Sequence, residues 1–283
     1  MQWSKLISYA TLVLAPLFFA SNLLFGKVVI PNIEPWTLAF LRWGIVSLIL
    51  LPFVAGSLRQ NRVYIWQKIT LFTIMGFLAM WICGAVVYYA LSLTTATNAT
   101  LIYLSAPVLI ILIEAIARGR RIALREGIGI AAATIGVATI LLRGDLQTLS
   151  HLQLNGGDLA MVFAAIAWAI YSVVFKSPAV SHLPSMLLLF LFSASATACL
   201  MPFAFFEMAY VRSVPSDLHV WLNIGGIIFS SSLAAFLAYQ HSIRTVGPAI
   251  SGIFMYLLPG YGVGLAVLLL GEEFQHFHLI GVM

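Results

Sequence analysis

Charge is what this sequence has least of. Only 8% of its 283 residues are Asp, Glu, Lys or Arg, while 62% are hydrophobic. Ordinary soluble domains carry about 25% charged and roughly 45–50% apolar residues. A chain so poor in charge cannot hide its apolar surface in a core of its own, which excludes a water-soluble globular domain. A bilayer solvates that surface instead. Cysteine is nearly absent too: Cys83 and Cys199 both lie in apolar stretches, so they indicate neither an oxidising compartment nor a metal or redox site. No nucleotide-binding loop, zinc motif or nucleophile elbow occurs, and no cofactor is expected. The net charge of +5 fits short basic loops beside membrane spans, without any nucleic acid partner.

What is present is long apolar runs. A helix needs about 20 apolar residues to cross a bilayer. Runs set against Pro, Gly and charged breakers predict spans at 6–29, 36–55, 69–91, 96–117, 126–142, 158–176, 185–206, 220–243 and 247–270. A tenth starts near 275 and is cut short by the end of the chain. The first run is too long for a signal-peptide core and lacks a small-residue cleavage site, so it reads as a retained helix. The expected fold class is thus an all-α polytopic membrane protein with ten transmembrane helices.

Lys and Arg set the orientation. Ten of them, Lys5, Arg59, Arg62, Lys68, Arg118, Arg120, Arg121, Arg125, Lys176 and Arg244, fall on one side, against Lys27, Arg143 and Arg212 on the other. The excess places the N-terminus in the cytoplasm, and an even number of spans returns the C-terminus there.

The chain also repeats itself. Without a gap, 88–107 aligns with 240–259, placing Pro107 on Pro259, while Phe19 to Lys27 aligns with Trp168 to Lys176 and Pro35 with Pro184. Two five-span halves follow, 1–150 and 151–283. Five is odd, so the second copy is inverted in the membrane. The basic end at 118–121 and its acidic counterpart Glu272-Glu273 agree. Inverted repeats are a transporter architecture, with the binding site near midplane between the copies.

These residues resemble the EamA family of the drug/metabolite transporter superfamily. Ser21-Asn22 with Lys27 closing the first helix, Phe40-Leu41-Arg42-Trp43-Gly44 in the second, the segments ending at Pro107 and Pro259, and Leu270-Gly271-Glu272 carry the likeness. Gly119-Arg120-Arg121 departs from it, since many members have Gly-Glu there. The resemblance implies a metabolite carrier in the bacterial inner membrane, often an exporter of amino acids, aromatic ones among them. It implies alternating access, a small-molecule substrate, and a monomer or weak homodimer.

Candidate binding residues are the polar and aromatic groups at mid-span depth: Asn22, Arg42, Trp81, Tyr103, Trp168, Tyr171, Ser251 and Tyr256, with Ser105 and 230–232 beside them. Rings would stack on an amphipathic solute while hydroxyls orient its polar end; ordinary packing is the plain alternative. Arg42 is the sharpest of these. It lies about 10 Å inside the second helix, where a charge is costly and marks a candidate site, either for a substrate carboxylate or for backbone carbonyls. Glu114 and Arg118 are spaced as a same-face pair. Tyr88 and Tyr89 at one end and Gln240 and His241 at the other are candidate gates, with Pro107 and Pro259 as bending points or plain kinks. His276 and His278 are a weak metal signal, and no metal site is expected. Other carriers (drug, sugar-phosphate or nucleotide-sugar) are the alternative within transport. A membrane enzyme would need clustered acids or histidines at one interface.

Overall fold

The computed structural model describes residues 2–94, 96–119, 121–141 and 155–270, and every regular element among them is helical. Helices α1 (Gln2–Val29), α2 (Pro35–Gln60) and α3 (Arg62–Gln67) lead into α4 (Ile69–Gly76), a π-helical stretch Phe77–Val86 and α5 (Val87–Leu93). Then come α6 (Ala96–Tyr103), α7 (Ser105–Arg118) and α8 (Leu124–Leu141). After the undescribed 142–154, the chain continues with α9 (Gly156–Phe175), α10 (Pro178–Ser181) and α11 (Ser185–Tyr210). It ends with α12 (Leu218–Gly226), a second π-helical stretch Ile227–Ala234, α13 (Ala235–Val246), α14 (Pro248–Phe254) and α15 (Leu257–Leu270).

Seven described segments are long and apolar enough to cross a bilayer: Ile7–Asn32, Pro35–Gln60, Ile69–Leu93, Gly156–Phe175, Ser185–Tyr210, Leu218–Val246 and Pro248–Leu265. The sequence predicts ten. The expected span at 96–117 is helical but broken at Leu104 into α6 and α7, and 126–142 corresponds to α8. The tenth span, Glu272, Glu273, His276 and His278 lie outside the described residues, as do Arg143 and Arg120.

Helix ends follow from local chemistry. Asn155 caps α9 through its side-chain oxygen, which accepts from the Gly157 and Asp158 amides, while Asp158 accepts from the Asn155 amide at 2.8 Å. Gly119 closes α7 with φ of +63° and Gly247 closes α13 with φ of +94°, conformations that side chains with a Cβ rarely adopt. Pro248 then opens α14 at a position where no amide is needed. The same logic bears on Pro107 and Pro259. Each is the third residue of its helix, α7 and α15, just after the breaks at Leu104 and Met255–Tyr256 that divide the expected spans 96–117 and 247–270. There the missing N–H is one the helix start leaves unused in any case.

Helix packing is close where small residues allow it. A Cβ on Gly76 would collide with the Phe192 carbonyl and Ser195 of α11, and one on Gly226 would lie 2.5 Å from the Phe25 ring of α1. Glu207 is a second correction. The sequence places it in a loop beyond the seventh span, yet α11 runs on to Tyr210 and buries it. Its carboxylate accepts from the Trp36 amide at 3.3 Å, the Thr37 amide at 2.7 Å and the Thr37 hydroxyl at 2.9 Å. An acid on the N-terminus of α2 satisfies amides that the helix start leaves unpaired and complements its dipole.

Candidate functional site

Arg42 faces inward from α2 and is 6% exposed. Its Nε donates to the Ser232 hydroxyl at 2.6 Å, Nη1 to the Tyr88 hydroxyl at 2.9 Å, and Nη2 to the Ser231 carbonyl at 3.1 Å. Tyr88 in turn donates to Asn22 Oδ1 at 3.3 Å, and the Ser231 hydroxyl reaches the same oxygen at 3.4 Å. The guanidinium also lies 4.7 Å over the Trp43 ring. One polar node thus joins α1, α2, the Phe77–Leu93 span and the second π-helical stretch. That stretch helps form it: Ser231 and Ser232 both donate to the Ile227 carbonyl, each at 3.0 Å. Bulges of this type recur at functional sites. Among the described residues every hydrogen-bond partner of Arg42 is neutral, so the node carries a cation that no carboxylate there balances.

An aromatic wall adjoins the node. Phe19, one turn before Asn22 on α1, meets Trp168 edge-on at 5.7 Å and Phe236 at 5.3 Å. Trp168 stacks on Tyr239 at 5.0 Å, and Phe236 meets Trp43 at 5.1 Å. Arg42 is therefore connected to Trp168 through packed rings. The other side of Trp168 lines a cleft between α6–α7 and α14–α15, together with Thr100, Tyr103, Pro107, Tyr256 and Pro259. Tyr256 spans this cleft, donating to the Leu104 carbonyl at 3.0 Å and bonding Thr134 at 3.0 Å. Gly252 of α14 packs so closely on Ile110 of α7 that a Cβ would lie 2.9 Å from it.

The expected residues therefore divide. Asn22, Arg42 and Tyr88 form the node; Tyr103, Trp168, Tyr256, Pro107 and Pro259 line the cleft. Tyr171 and Gln240 meet each other instead, at 3.2 Å, with Ser172 and Tyr239 bonded beside them at 3.0 Å. Trp81 stands apart, stacked on Phe77 at 4.6 Å and packed on Trp36 at 4.9 Å, with Tyr89 6.4 Å from Trp36. Ser251 is buried and donates to its own helix at Gly247. Ser105 is exposed and bonds Ile102, and Ser230 bonds Ser21 at 2.6 Å. Glu114 meets Arg118 at 3.6 Å, as their spacing predicts. Among the described residues no group of three His, Cys, Asp or Glu side chains is placed to hold a metal.

Sequence reasoning missed Phe19, Phe236 and Tyr239 as wall residues and did not foresee that Tyr88 bonds Arg42. The missed rings lie in runs already rich in aromatics, where nothing local sets them apart. For Tyr88 a signal existed: a buried cation without a nearby acid needs neutral acceptors, and Tyr88 and the serines of 230–232 are polar groups within otherwise apolar runs.

A helical, multi-pass membrane protein with a buried cation and an aromatic cleft belongs to the general class of polytopic carriers. Comparison with known proteins makes this specific. The EamA-like transporter family matches at residues 6–142 and again at 155–283, and the chain belongs to this family. It is similar to the "Uncharacterized transporter YetK" of Bacillus subtilis (strain 168), 26% identical over 278 residues, covering 97% of this chain and 83% of that protein. An "Uncharacterized transporter" of Archaeoglobus fulgidus is 23% identical over 279 residues, covering 97% and 93%. A solved crystal structure matches with a TM-score of 0.77 at 18% identity, over 100% of this chain and 93% of that one, and shows a common fold.

Proposed function

We propose that this EamA-like transporter is a secondary carrier of small amphipathic carboxylates, aromatic amino acids foremost, moving them out of the cell across the inner membrane by alternating access. The single observation that carries this reading is Arg42: a buried guanidinium, bonded among the described residues only to neutral groups, beside a wall of aromatic rings. A buried charge without a counter-charge costs several kcal/mol, and an arriving carboxylate offsets that cost. The rings of Phe19, Trp168, Phe236 and Tyr239 suit the apolar part of the same solute.

Two inverted halves support the mechanism. The family matches once in each half. In the alignments of 19–27 on 168–176 and of 88–107 on 240–259, the Asn22–Tyr88 hydrogen bond at 3.3 Å corresponds to the Tyr171–Gln240 bond at 3.2 Å. The basic loops put the N-terminus in the cytoplasm.

The test is efflux from proteoliposomes with a panel of amino acids, with and without a pH gradient. Movement of aromatic amino acids, selectively impaired by Arg42→Gln, supports the reading. Movement of a cationic drug or a sugar phosphate with no amino acid carried overturns it.

A further inference from the structure

Six buried side-chain polar atoms among the described residues have no hydrogen-bond partner: Trp43 Nε1, Trp81 Nε1, Ser177 Oγ, Gln240 Oε1, His241 Nε2 and Arg244 Nε. Native structures satisfy nearly all such atoms, and each exception calls for an explanation. Four of the six belong to residues at the end of α9 and in the last turns of α13. Gln240 and Arg244 are one turn apart on α13, with His241 between them. The Lys176 ammonium, next to Ser177, donates to the Arg244 carbonyl. The Arg244 guanidinium lies 5.4 Å over the Phe175 ring and donates through Nη2 to the Leu183 carbonyl at 2.5 Å.

We infer that this junction is a second binding station for the cargo, reading both ends of an α-amino acid. The cargo carboxylate takes the open donors, Arg244 Nε–H, the Ser177 hydroxyl and the remaining hydrogens of Lys176. The cargo ammonium takes the open acceptors, Gln240 Oε1 and, with the ring proton on Nδ1, His241 Nε2. Both kinds of open group on these two helix ends match a zwitterion. A lone phosphate would use the donors and leave the acceptors empty.

Charge supports the same reading. Lys176, Arg118 and Arg244 converge here around one carboxylate, Glu114. The Lys176 ammonium is held below its ordinary range, first by burial and then by the Arg118 guanidinium, with Glu114 acting the other way. An anion relieves this excess. Gln240 is fully buried, so the station fills only when α13 parts from α9. It stands on the basic side of the chain, where cargo for export arrives, and one turn along α9 and α13 from Tyr171 and Tyr239. A cargo leaving it meets the aromatic wall and then Arg42.

The inference rests on the amino-acid reading above and adds a site to it. The test places a cysteine at Ser177 (Ser177→Cys) in a chain carrying Cys83→Ala and Cys199→Ala. It follows modification by a small charged thiol reagent added from the basic side. L-Phenylalanine at ten times its Kd is expected to slow modification roughly tenfold, the factor of simple competition. Phenethylamine, which lacks the carboxylate, is expected to leave the rate unchanged. Adding Arg244→Gln removes the protection, and Lys176→Gln serves if that variant does not fold. Protection that persists in both variants comes from a distant conformational change and overturns the station, as does a cysteine that never reacts. Absent protection overturns the station alone if the protein transports L-phenylalanine. It overturns the amino-acid reading as well if the protein does not.

Discussion

Two poles of the molecule share a plan and differ in charge. At one, Asn22 and Tyr88 bond across α1 and the Phe77–Leu93 span; at the other, Tyr171 and Gln240 bond across α9 and α13. The sequence alignment sets Asn22 on Tyr171 and Tyr88 on Gln240. The neighbouring position in the next helix is Arg42 at the first pole and Leu191 at the second. Arg42 finds a ring of neutral acceptors; Leu191 is buried among apolar side chains. The same scaffold thus holds a cation at one pole and an apolar side chain at the matching place of the other. The difference teaches that the hydrogen-bonded pair holds the helices together, while the charge is an addition that helix packing alone does not need.

The largest effect comes from forcing the two poles to match. Leu191→Arg puts a cation into the apolar packing around Leu191, and a charge at membrane depth costs about 2.5–3.5 kcal/mol or more. Loss of folded protein in a detergent thermal-stability assay is the expected outcome. A stable variant would mean that the second pole also holds acceptors.

Arg42→Gln removes the charge from the first pole. Hydrogen bonds to charged groups are worth roughly 1.5–3 kcal/mol, so apparent affinity for carboxylate cargo is expected to fall about 10- to 100-fold. Affinity for a neutral analogue should change far less. Equal losses for both would make the node a purely structural clasp.

Glu207→Ala sharpens a different contrast, between the two ends of the α2–α11 pair. One end is held by the Glu207 carboxylate on the start of α2; at the other the Tyr64 hydroxyl donates to the Ala179 carbonyl at 2.7 Å. Leaving the Trp36 and Thr37 amides unpaired costs about 1–3 kcal/mol, read as a lower thermal midpoint. Tyr64→Phe should cost less, about 0.5–1.5 kcal/mol.

The smallest effect is Tyr171→Phe, set against Tyr88→Phe. Tyr171→Phe breaks one hydrogen bond, the one from Gln240, at about 1 kcal/mol; Tyr88→Phe breaks two, one from Arg42 and one to Asn22. Stability should fall further in Tyr88→Phe, and carboxylate affinity should drop in that variant alone.

Span positions and breaks were largely legible in the sequence, because a twenty-residue apolar run between prolines and charges has few other uses. Five expected site residues, Tyr103, Trp168, Tyr256, Pro107 and Pro259, do share the cleft. Their common feature was their place in the repeat, a long-range signal. What local reading could not reach was pairing at a distance. Glu207 and Thr37 are 170 residues apart, and Arg42 and Ser232 are 190 apart. The π-helical stretches were also invisible, since the sequence there reads as ordinary apolar helix. Pro107 and Pro259 each follow a break in a long apolar run, where proline marks a helix start as readily as a kink.

The central claim is that Arg42 makes this carrier selective for carboxylates, and counterflow in proteoliposomes tests it most directly. Vesicles loaded with L-phenylalanine should take up labelled L-phenylalanine in the native protein, weakly with Arg42→Lys and hardly at all with Arg42→Gln, while the folded fraction stays the same. Unchanged counterflow in a folded Arg42→Gln protein would contradict the claim.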